Sequence, residues 1–428
     1  MQTYNYTQLR EEEKSKLLLR PSVDYESAKE IAETIIEAVK LTGDDAIRSI
    51  TKKYDSVLLE NIEVGDEEIA MAESKLDPEL KQAINVAFKN IKAFYSEQKP
   101  SEYKKETMPG VLCYSQTRAI ERVGLYVPGG TAPLPSTALM LGIPALLAGS
   151  TQVVLCTPPN KDGSVNPSIL YAAQLCGISK IYKVGGAQSI AAMAYGTKTI
   201  PKVDKIFGPG NQYVSAAKLI VSIDPSGAQI DMLAGPSEVL VIADQNARPD
   251  FVAADLLSQA EHGVDSQVIL VSNDSRLISS VDSELEIQLE KLSRKDIAAK
   301  ALEKSFSLLV SSIDEAISFS NDYAPEHLII NANNAESLVN QVQNAGSVFL
   351  GQYSCESAGD YASGTNHSLP TSGLARSTSG VNVANFQKSI TFQIVTKDGA
   401  ANVGPIVATI AAEEGLDAHR IAMEKRYV

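Results

Sequence analysis

Short runs of β-branched residues alternate with stretches of helical spacing through the middle of this chain, and this alternation restricts the fold more than any other feature. A first series begins near residue 122. Its predicted strands are 123–127, 153–156, 181–184 and 205–207, and each is followed by a predicted helix, at 136–148, 168–176, 188–195 and 211–221. Strands that alternate with helices form βαβ units, so the series predicts a parallel sheet covered on both faces.

A second series follows from residue 239. It predicts strands at 239–242, 267–271, 306–310, 328–330 and 347–350, with helical stretches at 250–262, 275–303, 313–321 and 335–344 between them. The predicted fold class is therefore α/β, with two doubly wound, incomplete Rossmann-like lobes and a crevice between them. The first ~120 residues read as mostly helical. They form either a separate bundle or the cover of one lobe.

Composition excludes several classes of function. The net charge is −14, and no stretch concentrates Lys and Arg, so nucleic acid and anionic membrane surfaces are not expected partners. No apolar segment reaches the ~18 residues of a membrane span, and the N-terminus has no apolar signal core. The four cysteines are irregularly spaced. A cytoplasmic protein with reduced thiols is the expectation.

Glycine turns follow three predicted strands of the first series, at 128–133, 185–188 and 208–211. Ligands of open α/β sheets bind beyond the carboxyl ends of the strands, and a glycine turn that opens a helix presents N–H groups to an anion. None of the turns has the Gly-x-Gly-x-x-Gly pattern. They indicate either a nucleotide or phosphate ligand, or simply tight turns.

All four histidines of the chain have polar or acidic neighbours. Gln259 and His262 share one face in the last turn of a predicted helix, which suits a metal ligand with an unusual amide partner, or a solvated surface. Glu326 and His327 form an acid–imidazole pair suited to general acid–base chemistry. Adjacent strand residues face opposite ways, so this pair must lie in the turn before the strand straightens.

Two segments near the C-terminus carry further candidates. The loop 351–380 is rich in Gly, Ser and Thr, contains Asp360 and His367, and follows a strand end, where a ligand is expected. Glu414 and His419 flank a helix break at Gly415. These two residues either lie on a solvated surface or complete a functional site, and that site can belong to a neighbouring subunit.

These residues lie in long strings that resemble the histidinol dehydrogenase family from about residue 25 to the C-terminus. The strings are GLYVPGG at 124–130, GPGNQYV at 208–214, DMLAGPSE at 231–238, SQAEHG at 258–263, APEHL at 324–328 and GDYASGTNH at 359–367. The resemblance implies a homodimer with one zinc ion per subunit. It implies oxidation of L-histidinol to L-histidine with two NAD reduced per substrate.

The resemblance also implies individual roles. The zinc ligands would be Gln259, His262, Asp360 and His419, with His419 given by the partner subunit. Glu326 and His327 would be the acid–base pair. Substrate contacts would come from Ser237, His367 and Glu414 together with the zinc ligands and His327, and NAD contacts from Tyr126, Gln188 and Asn211.

The chemistry agrees with these residue types. Neutral His327 can accept the alcohol proton as the hydride leaves, and Glu326 can activate the water that hydrates the aldehyde. Zinc would act as a template for the substrate's amino and imidazole nitrogens, and Glu414 would accept the imidazole N–H. His367 either holds substrate or orders its loop.

The expected domains follow the two series. We expect an N-terminal arm at 1–25, a larger lobe from 26–121 and 237–381 with the zinc and acid–base residues, an NAD-binding lobe at 122–236, and a tail domain at 382–428 exchanged across the dimer.

Three alternative functions stay open. They are a relative that oxidises another small primary alcohol, a non-catalytic nucleotide sensor, and a zinc hydrolase, for which no His-Glu-x-x-His spacing is present.

Overall fold

The computed structural model describes residues 1–21, 25–98, 100–129, 133–233 and 235–427. It contains two parallel sheets and one small antiparallel sheet, with helices on the faces of the parallel sheets, which confirms the predicted α/β class. The N-terminal elements are β1 (Gln2–Asn5), α1 (Glu11–Leu17), α2 (Tyr25–Thr42), α3 (Asp44–Tyr54), α4 (Asp66–Ala72) and α5 (Pro78–Ser96). Two polar strands follow, β2 (Lys104–Met108) and β3 (Val111–Ala119).

The second lobe is built as the first series predicts. Its elements are β4 (Arg122–Tyr126), α6 (Pro135–Ala148), β5 (Gln152–Thr157), α7 (Pro167–Leu175), β6 (Lys180–Lys183), α8 (Gly186–Tyr195), β7 (Lys205–Phe207), α9 (Gln212–Ile223) and β8 (Gln229–Ile230). The strands are parallel in the order β6-β5-β4-β7-β8. All carboxyl ends therefore meet at one edge of this sheet.

The helices α2 to α5 pack against this second lobe, although we grouped residues 26–121 with the larger lobe, and α5 also contacts the larger lobe where Asn90 donates to the Ala362 carbonyl at 2.9 Å. Ile36 of α2 and Ile47 of α3 share a buried cluster with Ile190 of α8. On the other face, Ile84 and Ile91 of α5 pack with α6. The helical spacing shows that these helices have apolar faces, but it cannot show which of two similar sheets they cover.

The larger lobe holds the second series. Its elements are β9 (Glu238–Ala243), α10 (Pro249–Ala260), β10 (Gln267–Ser272), α11 (Ser275–Leu289), α12 (Lys295–Glu303), β11 (Phe306–Leu309), α13 (Ile313–Tyr323), β12 (His327–Asn331), β13 (Ser347–Leu350) and α14 (Glu356–Tyr361). The predicted helix at 335–344 is a short 3-10 segment, Ala335–Gln341. The parallel order is β1-β11-β10-β9-β12-β13. Strands β9 and β10 are buried along their whole length, because helices cover both faces of the sheet.

The C-terminal tail consists of β14 (Gln387–Val395), α15 (Lys397–Glu413) and α16 (Asp417–Tyr427). Strand β14 pairs with β3, which pairs with β2. Residues 104–119 therefore form a sheet with the tail, although we grouped them with the larger lobe. Within the described ranges, no helix is both long and apolar enough to cross a membrane.

Candidate functional site

The predicted acid–base pair lies at the amino end of β12. Glu326 occupies the bend before the strand, whereas His327, which we also expected in the turn, is already the first residue of the strand. Glu238 begins the neighbouring strand β9. The pair is thus at the amino-terminal edge of the larger sheet, and not beyond the carboxyl ends where we expected the ligand of this lobe.

Both ring nitrogens of His327 contact oxygen atoms. Nδ1 lies 3.1 Å from the carbonyl oxygen of Glu238, and Nε2 lies 3.2 Å from Oδ1 of Asp360. A carbonyl only accepts, so Nδ1 is assigned the ring proton of the neutral form. Burial lowers the pKa of His327, but the carboxylates of Glu326 and Asp360 outweigh it and raise the pKa well above its ordinary value.

Glu326 is fixed by the same backbone unit. Its Oε2 accepts the N–H of Glu238 at 2.9 Å and lies 3.6 Å from Nδ1 of His327. Burial raises the pKa of the Glu326 carboxyl. One peptide segment at the start of β9 therefore orients both members of the pair.

Arg20 anchors this segment, and sequence reasoning missed it. Its guanidinium donates to both carboxylate oxygens of Glu238 at 3.0 and 2.9 Å and stacks on the ring of Tyr323 at 3.4 Å. The N–H of Ser372 donates to Glu238 Oε1 at 2.8 Å. Arg20 and Glu238 are 218 residues apart, so no local pattern could have indicated the contact.

Gln259 and His262 approach His327 from the end of α10. The helix ends at Ala260, two residues before the predicted end at 262, and His262 lies in the following turn with its N–H bonded to the Gln259 carbonyl at 3.1 Å. Gln259 Nε2 is 3.3 Å from His327 Nδ1. Burial lowers the pKa of His262, and the Asp360 carboxylate partly opposes this.

Two of the four predicted zinc ligands, Gln259 and Asp360, thus contact His327, and a third, His262, lies close enough for Asp360 and His327 to influence its pKa. Gln259 Oε1 is buried and has no hydrogen-bond partner among the described residues. A buried acceptor without a partner is costly, and a cation would satisfy it. A mixed nitrogen and oxygen set suits zinc. Within the described ranges, no three His, Cys, Asp or Glu side chains are grouped so that they could hold a metal ion. The predicted ligand set does not form such a group in one chain, because Gln259 is an amide and His419 lies elsewhere.

The remaining substrate candidates separate into two groups. Ser237 is half-buried beside Glu238, close to the acid–base pair. Glu414 and His419 are exposed on the tail of this chain, on either side of Gly415, whose φ is 71°. A single chain therefore does not bring these two tail residues to the site.

His367 connects the two lobes. Its Nδ1 lies 3.0 Å from the carbonyl oxygen of Asp360, and its Nε2 lies 3.1 Å from Thr137 Oγ1 in the first turn of α6. Burial lowers the pKa of His367, which favours a neutral ring. Since protein atoms contact both nitrogens, these contacts favour a role in ordering the loop.

A cleft of about 830 Å³ opens at the carboxyl ends of the second sheet, where the glycine turns were expected to bind a ligand. Tyr126, Gln188 and Asn211, the three predicted NAD contacts, all line it. The Tyr126 hydroxyl accepts the N–H of Gly186 at 3.2 Å, and Asn211 caps α9. In the turn at 128–133, Gly130, Thr131 and Ala132 lie outside the described residues.

Asp55, at the end of α3, also lines this cleft, and sequence reasoning missed it. Its Oδ2 is buried and unpartnered among the described residues. Burial raises the pKa of Asp55. The residue follows an ordinary amphipathic helix that we grouped with the larger lobe, so the sequence did not connect it with the cleft of the second lobe.

Comparison with known proteins identifies the family. The family model for histidinol dehydrogenase matches residues 18–427. The chain belongs to the histidinol dehydrogenase family. It is an oxidoreductase of histidine biosynthesis that oxidises the CH–OH group of histidinol.

Relatives match over nearly the whole chain. A histidinol dehydrogenase of Bacteroides thetaiotaomicron is 53% identical over 415 residues, which are 97% of this chain and 96% of that protein. The chloroplastic histidinol dehydrogenase of Arabidopsis thaliana is 51% identical, and the match covers 100% of this chain and 91% of that protein. The crystal structure of histidinol dehydrogenase from Elizabethkingia anophelis superposes with a TM-score of 0.95 at 52% identity, and the superposition covers 100% of this chain and 98% of that one. The resemblance and the fold class are therefore confirmed, and membership implies an NAD-dependent dehydrogenase.

Proposed function

We propose that this chain oxidises L-histidinol through the aldehyde to L-histidine and reduces two NAD per substrate, with the residues named above in their predicted roles. One chain of contacts supports this most directly. Asp360 contacts His327, and His367 links the Asp360 backbone to Thr137 at the edge of the second sheet where the cleft opens. An acid–base pair beside a dinucleotide-sized cleft suits alcohol oxidation. It suits neither a hydrolase nor a passive sensor.

His327 accepts the alcohol proton in the first oxidation. Because the Glu238 carbonyl fixes the ring proton on Nδ1, Nε2 is the nitrogen that can accept the alcohol proton, once the Asp360 carboxylate that now contacts it turns to the proposed zinc site. Loss of a proton and a hydride gives the aldehyde. When bound, NAD supplies the hydride acceptor, from the cleft lined by Tyr126, Gln188 and Asn211.

Glu326 acts between the two oxidations. An aldehyde can give up its remaining hydrogen as hydride only after water adds to its carbonyl carbon, and a carboxylate held by the Glu238 N–H can take a proton from that water. The carbonyl oxygen takes back the proton that His327 accepted in the first oxidation, which gives the hydrate. The hydrate then loses a proton to His327 and a hydride to a second NAD and becomes the carboxylic acid. All of these proton transfers use the two side chains that contact the Glu238 backbone.

Zinc would be held by Gln259, His262 and Asp360 of one subunit and a partner subunit's His419. When bound, it supplies a template for the substrate's nitrogen atoms. Ser237, His367 and Glu414 complete the proposed substrate site. Because Glu414 and His419 are exposed on the tail, a homodimer with exchanged tails is part of the proposal, as is a cytoplasmic location.

The domain assignment is also a proposal, with one revision. Residues 237–381 form the lobe with the zinc and acid–base candidates, and residues 122–236 form the NAD-binding lobe, now with helices α2 to α5. The tail at 382–428 is the segment exchanged across the dimer, accompanied by β2 and β3, which pair with β14.

A product count tests the proposal. Purified protein is supplied with L-histidinol and excess NAD, and the NADH formed is divided by the substrate consumed. We expect two NADH per histidinol, with about one zinc per chain by metal analysis. A ratio of one, or turnover only with another small primary alcohol, would contradict the assignment.

A further inference from the structure

The loop that carries Asp360 and His367 also contains a buried amide side chain, Asn366, which the proposed mechanism does not use. Asn366 is 5% exposed, so both ends of its amide need partners. Its Nδ2 donates to the Met140 carbonyl oxygen at 2.7 Å, and its Oδ1 accepts the N–H of Ser368 at 2.8 Å. A backbone carbonyl only accepts and a backbone N–H only donates, so both contacts select the same orientation of the amide.

The Met140 carbonyl lies inside helix α6, where the N–H four residues later normally occupies such a group. Residue 144 is a proline inside this helix, and proline has no N–H. Because Met140 and Pro144 are both buried, an unpaired carbonyl here would be costly. Asn366 supplies the donor that the helix lacks.

A second contact holds the same loop one turn earlier on α6. Thr137 Oγ1 lies 3.1 Å from His367 Nε2. Thr137 and Met140 are three residues apart, so they lie on the same face of the helix. The ring of His367 contacts the Asp360 carbonyl at 3.0 Å, and the Asp360 carboxylate contacts His327. Contacts thus connect α6 of the second lobe with a predicted zinc ligand and the proposed base.

We propose that Asn366 is a positioning residue, and that Pro144 makes the Met140 carbonyl available to it. The bond holds the loop on the second lobe and thereby fixes Asp360, a predicted zinc ligand. The inference rests on the zinc site of the proposed function, and it assigns Asn366 no contact with metal or substrate. Groups that orient metal ligands change metal affinity by about 10–100-fold, and Asn366 acts through the loop, so we expect an effect of about tenfold.

The first test measures zinc affinity and not activity. Asn366→Ser keeps a side-chain oxygen that can accept the Ser368 N–H, but the shorter side chain cannot reach the Met140 carbonyl. In the full-length protein we expect the zinc dissociation constant, from competition with chelators of graded affinity, to rise about tenfold. An unchanged constant would mean that the local turn at Ser368 suffices, and the inference would be wrong.

The matched control is Asn90→Ser. Asn90 of α5 makes the same kind of bond to the same loop, from its Nδ2 to the Ala362 carbonyl at 2.9 Å, but this bond is exposed. Water can replace an exposed donor, so Asn90→Ser should leave the zinc dissociation constant unchanged. An equal rise in Asn90→Ser and Asn366→Ser would contradict the special role of the buried bond.

The second test supplies the N–H that the helix lacks. In Pro144→Ala the new N–H competes with Asn366 for the Met140 carbonyl, and the zinc dissociation constant should rise. The rise should be smaller than in Asn366→Ser, because a carbonyl has two lone pairs. Alanine is favoured over proline inside a helix, so the denaturant midpoint should not fall. A purely structural role of Pro144 would instead weaken folding and zinc binding together.

Pro135→Ala is the control for this substitution. Pro135 is the first residue of the same helix, where an N–H has no partner in the helix. The substitution therefore fills no helix carbonyl and should leave the zinc dissociation constant unchanged. A rise equal to that of Pro144→Ala would contradict the role of the Met140 carbonyl.

A double-mutant cycle decides whether Asn366 and Pro144 act through the same carbonyl. If they do, Asn366→Ser raises the zinc dissociation constant by a smaller factor in the Pro144→Ala background than in the unmodified protein. Equal factors in the two backgrounds would show that Asn366 acts elsewhere, and the inference would be overturned.

The outcomes also separate this inference from the proposed function. Normal zinc binding by the unmodified protein and by both Asn366→Ser and Pro144→Ala overturns only the positioning role of Asn366. Failure of the unmodified protein to bind zinc overturns the zinc site of the proposed function, and this inference with it.

Discussion

The tautomer of the proposed base His327 is set by a backbone carbonyl. Its Nδ1 faces the Glu238 carbonyl oxygen, which no mutation of a neighbouring side chain removes. The ring proton of the neutral form is therefore held on Nδ1 by strand β9 itself, whereas Nε2 faces the Asp360 carboxylate. The Arg20–Glu238 ion pair holds that strand end in place.

Replacing His327 by Asn should remove proton transfer and little else. We expect His327→Asn to lower kcat about 10²–10⁴-fold, the usual contribution of general acid–base catalysis. Zinc content and NAD affinity should stay close to those of the unmodified enzyme, because the ring is not among the predicted ligands of either. Steady-state kinetics with metal analysis checks this. Retention of more than a tenth of kcat would contradict the role.

Asp55 should contribute to cofactor choice. Its carboxylate lines the cleft, where it can accept ribose hydroxyl donors and where its negative charge disfavours a phosphate. We expect Asp55→Asn to raise KM for NAD about tenfold, since a hydrogen bond to a charged group contributes about 1.5–3 kcal/mol, and to narrow the preference for NAD over NADP. The readout is the ratio of kcat/KM for the two cofactors.

The control for Asp55 is Asp45→Asn in the same helix. Asp45 is 89% exposed and pairs only weakly with Arg48 at 3.7 Å. Asp45→Asn should leave both KM for NAD and the ratio of kcat/KM for NAD and NADP unchanged. Equal effects of the two substitutions would mean that general charge, and not the cleft carboxylate, selects the cofactor.

Type and spacing nominate candidate site residues where the residues of a pair are close together in the sequence. Glu326 with His327, and Gln259 with His262, are adjacent or one helical turn apart, so they could be nominated in this way. Glu238 and Arg20 have their partners 88 and 218 residues away, and nothing local distinguishes them from ordinary charged residues. Gln259 itself was nominated with confidence only through the family resemblance.

At the level of elements, a buried ion pair holds the turn after β7. Lys218 of α9, 1% exposed, donates to the Gly208 carbonyl at 2.9 Å and contacts the Asp231 carboxylate, whose Oδ2 accepts the Gly208 N–H at 2.8 Å. The turn leads to Asn211, which lines the cleft proposed for NAD. Breaking the pair should therefore affect both stability and cofactor binding.

We expect Asp231→Asn to reduce the free energy of unfolding by about 3–5 kcal/mol, because Lys218 would remain buried without its counter-charge. KM for NAD should rise as the turn loosens. Denaturant unfolding and steady-state kinetics measure the two effects. Lys218→Met combined with Asp231→Leu should recover most of the stability, since no buried charge is left unpaired.

An exposed pair on the same sheet provides the comparison. Arg122 and Asp204 are joined at 2.6 Å but are 45% and 40% exposed. Asp204→Asn should cost no more than about 1 kcal/mol because solvent screens the pair. A similar cost for Asp204→Asn and Asp231→Asn would contradict the importance of burial.

The alternating pattern predicted the central elements of both lobes well, because buried strands and amphipathic helices leave clear periodic signals. It did not predict β1, β2, β3, β8 and β14. Strands β1 and β8 have only four and two residues, and β2 and β14 are largely exposed, so burial produces no apolar alternation in them. It also placed the ligand of the larger lobe at the carboxyl edge, since strand order alone does not show that α10 and α14 return to the amino edge.

At the scale of the whole molecule, the tail leaves apolar side chains in solvent. Five apolar residues of the tail are each at least 41% exposed: Ile394 of β14, Ile406 and Ile410 of α15, Leu416 in the turn before α16, and Ile421 of α16. They flank the exposed Glu414 and His419. A second subunit that covers this surface would bury the apolar residues and receive both polar ones, which is the arrangement proposed for the dimer.

Shared sites can be tested by complementation. A His327→Ala chain and a His419→Ala chain are each expected to be inactive alone. After subunit exchange, a mixed dimer has one site with both residues intact, so up to a quarter of full activity should return if half of the dimers are mixed. No recovery, with exchange shown by differently tagged chains, would place His419 outside the partner's site.

The pairing of β1 with β11 has a consequence for synthesis on the ribosome. Gln2 lies beside Phe306 in the larger sheet, about 300 residues later in the chain. The N-terminal helices and the whole second sheet precede residue 231, so they can fold while the rest is still being made. The first strand of the chain must instead wait, unpaired, until residue 309 has left the ribosome. The earliest segment to be synthesised is thus among the last to be fixed, and the anchor at Arg20 forms only when the lobe that carries the acid–base pair closes around it.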